Sequence, residues 1–143
     1  MLGIYWGNHH HLIHSINSVN AGIMWANLHL LFWLSLIPFA TGWMGENHFA
    51  EKTVAVYALL LNFCGIAYYI LLTVIKNCNK KNDAFRLVLE KQSKKGMQSL
   101  IVYTIAIPVA FFSTAIAGAL IVLVGIMWLI PDKNIEKTIR EAN

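Results

Sequence analysis

The sequence predicts an all-α fold, an integral membrane helix bundle of four transmembrane helices plus an N-terminal helix stub. Three observations carry this. The chain is 57% hydrophobic and only 13% charged, where ordinary soluble domains carry about a quarter charged residues. Its apolar residues fall in blocks, Ile23 to Met44, Thr53 to Ile75 and Ser99 to Pro131, none of which contains Asp, Glu, Lys or Arg. Each block exceeds the roughly 18 to 20 residues that cross a hydrocarbon core. The cations, finally, are gathered mainly into one connection and the tail.

Residues 1–22 open with the apolar run Leu2 to Trp6, which reads as the last turn or two of a helix and is too short to span anything. A His-rich cytosolic segment follows, with His9, His10, His11 and His14 within six residues and no Lys or Arg before Lys52. The first two blocks predict transmembrane helices over 23–44 and 53–75. The third block, about 33 residues, would make a single helix about 50 Å long, well beyond a core of about 30 Å. It therefore predicts a hairpin of helices over 97–113 and 115–131, turning around Phe112 to Ala117. Charge gives an independent check. The basic loop 76–96 carries Lys76, Lys80, Lys81, Arg86, Lys91, Lys94 and Lys95 against Asp83 and Glu90, and the tail 132–143 adds Lys133, Lys137 and Arg140. Positive-inside bias places both in the cytosol, so an even number of crossings separates them and both termini are cytosolic. Trp25, Trp43 and Trp128 stand where interfacial anchors are expected.

The net charge of +4 comes almost wholly from the basic loop, so the expected partners of Lys76 to Lys95 are anionic membrane lipids. No nucleic-acid motif is present. Within that loop, 82–95 reads as a short helix. Either Ala84, Phe85, Val88 and Leu89 face the bilayer surface, or the helix is a solvated link between spans. Cys64 and Cys78 are too far apart along a helix to bridge, and no disulfide framework is implied.

Inside the blocks, Asn27, Leu31, Ser35, Pro38 and Gly42 share one side of a helix, and Ala58, Asn62, Gly65, Tyr69 and Thr73 another. Such faces normally pack against helices, and an amide in hydrocarbon needs a partner or a wet path. Pro38 and Pro108 free the carbonyls of Leu34 and Thr104 and are expected to kink their helices. Ala106 with Ala110, and Ala115 with Ala119, repeat at four-residue spacing and permit close approach. His29 reads as an interface residue.

The histidines leave three readings open: metal or haem ligation, proton handling, and a buried polar network between helices. His10 and His14 lie four apart and can ligate one metal from one face. A third ligand is needed, with only Asn8, Asn17, Asn20 and His29 nearby. Haem ligation needs facing histidines on two spans, which the later blocks lack. No catalytic spacing, glycine-rich phosphate loop or intramembrane carboxylate pair occurs, so neither an enzyme nor a bound cofactor is expected. A metal- or haem-binding membrane protein and a non-conducting structural membrane subunit stand as the alternatives.

Tyr5-Trp6-Gly7-Asn8-His9-His10, then Trp25-Ala26-Asn27-Leu28, then Ile37-Pro38-Phe39-Ala40-Thr41 resemble the transmembrane protein 175 family of lysosomal and prokaryotic potassium channels. Trp128-Leu129-Ile130-Pro131-Asp132 resembles the end of that family's last helix. The resemblance implies a six-helix repeat that passes potassium ions passively, assembled in prokaryotes as a homo-oligomer, a tetramer, in the cell membrane. In the family the first helix lines the pore and carries an Arg to Phe-Ser-Asp-Gly signature. Trp6, His9 and His10 would correspond to the cytosolic end of the second helix and Asn27 to the third, as structural or gating contacts rather than pore ligands. Counted against that repeat, the first helix and most of the second are missing from this sequence, and the expectation is an incomplete form lacking the pore helix.

Overall fold

The computed structural model describes residues 1–14, 19–78 and 83–129. The tail 132–143, Pro131, the loop residues Lys80, Lys81 and Asn82, and Asn17 lie outside the described residues. Among those described, the chain forms α1 (Leu2–His14), α2 (Ala21–Ser35), α3 (Ile37–Glu46), α4 (Glu51–Cys78), α5 (Asp83–Val109) and α6 (Thr114–Leu129), with no strand. It is an all-helical bundle, as its composition requires.

Helix α1 runs past the expected stub and carries the histidines on its last two turns. Gly7 does not stop it: one glycine costs about 1 kcal/mol in a helix, and the burial of His9 and Leu12 beyond it holds the chain in register. Asn20 caps α2, its Oδ1 accepting from the Ile23 N–H at 2.9 Å, which satisfies one of the orphan donors of a first turn.

The first apolar block is two helices, not one kinked helix. Leu36 separates α2 from α3, and Pro38 lies in the first turn of α3, where a missing N–H is harmless. The Leu36 N–H turns back to the Trp33 carbonyl at 3.2 Å, tightening the end of α2. The buried side of this pair is Ile23, Ala26, Leu30, Leu34 and Ile37. Of the expected face of Asn27, Leu31, Ser35, Pro38 and Gly42 only the first two are half-buried, while Ser35, Pro38 and Gly42 are exposed. Ser35 satisfies its hydroxyl locally, on the Phe32 carbonyl at 2.7 Å.

Between α3 and α4, His48 and Phe49 adopt φ of 51° and 57°, an uncommon conformation for residues with a Cβ. The turn closes through the Phe49 N–H on the Met44 carbonyl at 3.0 Å, while the Asn47 amide donates to the Trp43 carbonyl at 2.8 Å. These bonds absorb carbonyls that the end of a helix leaves open.

Helix α4 is the centre, packed against α2, α3, α5 and α6. Between Thr53 and Ile75 its exposed residues are Val56, Leu59, Phe63, Ile66, Ile70 and Thr73, in steps of three and four, which is one stripe of a helix. The rest of the helix is half-buried or buried, with Leu61, Cys64, Ala67, Leu71 and Ile75 inaccessible. Against it lies α5. The Asn62 amide donates to the Leu100 carbonyl at 3.2 Å and to Thr104 Oγ1 at 2.8 Å. At Gly65 a Cβ would stand 2.8 Å from Leu100 Cδ2, so any larger residue there makes the Leu100 side chain move.

Helix α5 begins inside the expected loop and continues unbroken to Val109. Its buried side is Leu89, Gln92, Gly96, Ser99, Tyr103, Ala106 and, just past its end, Ala110, again in steps of three and four. Leu89 therefore packs into the bundle instead of facing the bilayer surface, because it occupies the same stripe as Tyr103. Pro108 lies in the last turn, and the chain reverses over 110–113, with the Ser113 N–H on the Val109 carbonyl at 2.8 Å. The reversal falls two to four residues before the expected one. Thr104 back-bonds to the Leu100 carbonyl at 2.8 Å. In α6 the packed residues are Ala117, Ile121, Val124 and Gly125, whereas Ala115 and Ala119 are exposed. Val54, Ala55, Ala110 and Ala117 form a small cluster at the hairpin end.

Two stretches, Ala21–Glu46 and Glu51–Cys78, are long and apolar enough to cross a membrane, and Thr114–Leu129 is a shorter apolar helix. The Ala21–Glu46 stretch is only 28% buried in the bundle against 56% for Glu51–Cys78. An apolar helix so little covered by its own chain needs an apolar surrounding.

Candidate functional site

Asn27 and His9 meet between α2 and α1. The His9 ring is buried, and its Nε2 donates to Asn27 Oδ1. An amide oxygen can only accept, so Nε2 carries the proton of this bond. Nδ1 is buried and has no hydrogen-bond partner among the described residues. Trp6, exposed one turn before His9, lays its ring against both histidines, with centroids 5.9 Å from His9 and 6.4 Å from His10. All four sequence-selected residues, Trp6, His9, His10 and Asn27, are thus linked by a hydrogen bond and ring contacts.

The side chains of His11 and His14 lie outside the description, and with them the His10–His14 metal pair. Among the described residues no group of three or more His, Cys, Asp or Glu converges on a point where an ion could sit. His29 is exposed on α2, its Nε2 accepting from the Trp33 indole at 2.9 Å, and Trp33 stacks on Phe63 of α4 at 4.6 Å. Asn20 donates to Cys78 Sγ at 3.0 Å, tying the start of α2 to the end of α4. Both cysteines are free thiols.

A second polar layer, which periodicity did not single out, lies beside the first. The Tyr68 hydroxyl donates to Gln92 Oε1 at 3.2 Å. The Tyr68 ring meets Tyr5 of α1 at 6.4 Å and Trp128 of α6 at 5.6 Å, both edge-on. The Trp128 indole donates to Ser99 Oγ at 2.8 Å, and Ser99 in turn donates to the Lys95 carbonyl at 2.9 Å. Tyr68 therefore touches α1, α5 and α6 from the central helix. Tyr5, Tyr68, Tyr103 and Trp128 line a void of about 10 Å³, close to the smallest space that holds one water. An open apolar groove of about 360 Å³ runs past Met1, Ile4, Val54, Tyr57, Gly118 and Ile121.

The signal for this layer was weak in sequence. Gln92 follows Lys91 in a charged stretch and reads as solvated until a tyrosine from α4 is seen opposite it. The chemistry of both layers is that of hydrogen bonds and ring contacts between helices, which fix helix positions.

A relative from Chryseobacterium sp. (strain P1-3), named potassium channel, is 47% identical over 140 residues, 98% of this chain and 72% of that protein. The family model described as the endosomal/lysosomal potassium channel TMEM175 matches residues 1–38. The chain belongs to the TMEM175 family. In this TMEM175 chain that segment covers α1, α2 and the first residues of α3, and so includes Trp6, His9, His10 and Asn27. No solved structure matches the chain. Membership of TMEM175 and the apolar helices agree on a helical membrane protein.

Proposed function

We propose that this chain is a subunit of a channel that passes potassium ions passively across a membrane. The observation that carries the reading is its 47% identity, over 98% of its length, to a protein named potassium channel. Its apolar helices supply the membrane part. The apolar segments 23–44, 53–75, 97–113 and 115–131 act as the crossings. The basic ends of α4 and α5 lie in the cytosol, as positive-inside bias requires. Several copies assemble around the conduction path, a tetramer by the family pattern, in the cell membrane of a prokaryote. Anionic lipids meet the basic segment between Lys76 and Lys95. Trp6, His9, His10 and Asn27 hold α1 against α2 as structural or gating contacts, and take no part in binding the ion. In support, the His9 Nε2 and the Asn27 Oδ1 are taken up by each other.

The test is potassium flux from liposomes holding the purified full chain. A set potassium gradient is expected to dissipate faster than in protein-free vesicles, and equal rates in the two would sink the proposal.

A further inference from the structure

The exposed face of α5 changes character along its length. Leu87, Lys91, Lys94, Gln98, Ile101 and Ile105 follow in steps of four and three and are all exposed, one stripe on a helix. Ile101 and Ile105 are about half accessible. From Ile101 to Lys94 the rise is about 10 Å, so the stripe passes from bare isoleucine to lysine over the thickness of a headgroup layer. Trp128 reaches α5 between those levels, with its indole N–H on Ser99, where an amphipathic ring belongs at a membrane boundary. Glu90 is taken by Lys76 at 2.9 Å. Lys91 and Lys94 are exposed, and Lys94 adds a smaller attraction to the same Glu90 carboxyl.

We infer that Lys91 and Lys94 bind the phosphate of an anionic phospholipid headgroup, and that Gln92, between them in sequence, passes the state of that site to α1 through Tyr68. The inference deepens the proposed function and rests on its membrane-spanning reading. Charge complementarity selects the occupant: two lysines above an apolar stripe match a phosphate attached to acyl chains. Geometry supplies the transmission. Gln92 is buried on the opposite side of the same turn, and its Oε1 accepts from the Tyr68 hydroxyl. Tyr68 in turn packs edge-on against Tyr5 of α1. The helix is continuous from Asp83 to Val109, so a turn drawn toward a headgroup carries Gln92 with it.

Two measurements on the full chain in detergent test this without potassium flux. Native mass spectrometry is expected to show phosphatidylglycerol retained at about tenfold lower concentration than phosphatidylcholine, and Lys91→Gln with Lys94→Gln is expected to lose most of that preference. Equal retention by the wild-type chain, or an unchanged preference in the double variant, would overturn the site. Phosphatidylglycerol is also expected to slow amide hydrogen exchange in α1. Tyr68→Phe, which keeps every ring contact and removes only the hydroxyl, should keep the lipid preference and lose most of that slowing. Full slowing in Tyr68→Phe would overturn the transmission, and equal slowing with soluble glycerol phosphate would overturn the lipid as occupant. A chain that shows the lipid effects but passes no potassium would overturn the channel reading and leave this one standing.

Discussion

His9 and Asn27 depend on each other because each would otherwise carry an unpaired polar atom into a packed interface. Asn27→Leu leaves both ring nitrogens of a buried imidazole without partners, and is expected to cost about 1–3 kcal/mol, read as a lower midpoint of melting in detergent. Combining it with His9→Phe is expected to cost less than the two single changes summed. Strict additivity would show that the bond contributes nothing. Asn62→Leu breaks the bonds to Leu100 and Thr104, and the same melt should register about 0.6 kcal/mol, the usual size for a polar contact between helices in a bilayer. At the basic end, the Lys76 ammonium holds the Glu90 carboxyl below its ordinary value of 4.5. A carboxyl lowered on folding stabilises the fold above its unfolded value, and that contribution disappears as pH falls through the folded one. Both side chains are still well reached by solvent, so the effect is small. Melts below pH 4.5 should show a shallow loss that Lys76→Gln removes, and an identical profile in the variant would refute it. His9 and Asn27 were readable as polar residues needing partners. That they choose one another was not, since eighteen residues separate them.

At the scale of elements, α4 and α5 are held by one close approach. Gly65→Val puts branched carbons where Leu100 now packs, and overpacking of this kind costs about 1–3 kcal/mol. Gly65→Ala should cost less, because the end of the Leu100 side chain can swing away. If valine and alanine melted alike, the contact would not be the limiting one. The two long helices differ in how much of them was legible. The apolar span of α4 was readable from its uncharged run, and its boundaries moved outward by a few residues only. The basic half of α5 was read as a separate short helix over 82–95 and not as the start of the next span, because Gln92 and Gly96 occupy positions where Leu or Ile would have marked a continuous packed stripe. Polar and small residues carry that stripe when the opposite helix offers a hydroxyl, an indole or a close backbone. Pro38 was visible as a disturbance. Whether it kinks a helix or starts a new one depends on the Leu36 backbone, which sequence does not specify.

For the whole molecule, the two cysteines report how the bundle lies in a membrane. Cys78 is exposed at the end of α4 that carries Lys76, and Cys64 is inaccessible. In sealed vesicles an impermeant maleimide should label Cys78 from the side bearing Lys91 and leave Cys64 unmodified. Phe112→Cys, at the α5–α6 reversal and 91% exposed, should label from the opposite side only. Labelling of both from one side would contradict the hairpin across the bilayer. Sequence by itself determined the class, the helical content and the paired last helices, because the cost of placing apolar and charged groups in water or hydrocarbon accumulates along contiguous residues whatever their neighbours. It also located the polar residues of the first two helices. Only the tertiary structure decided the partners: His9 with Asn27, Asn62 with Thr104, and Tyr68 with three helices at once. A hydrogen bond or a ring contact forms between groups brought together by packing, and no local pattern along one helix records what stands opposite it on another.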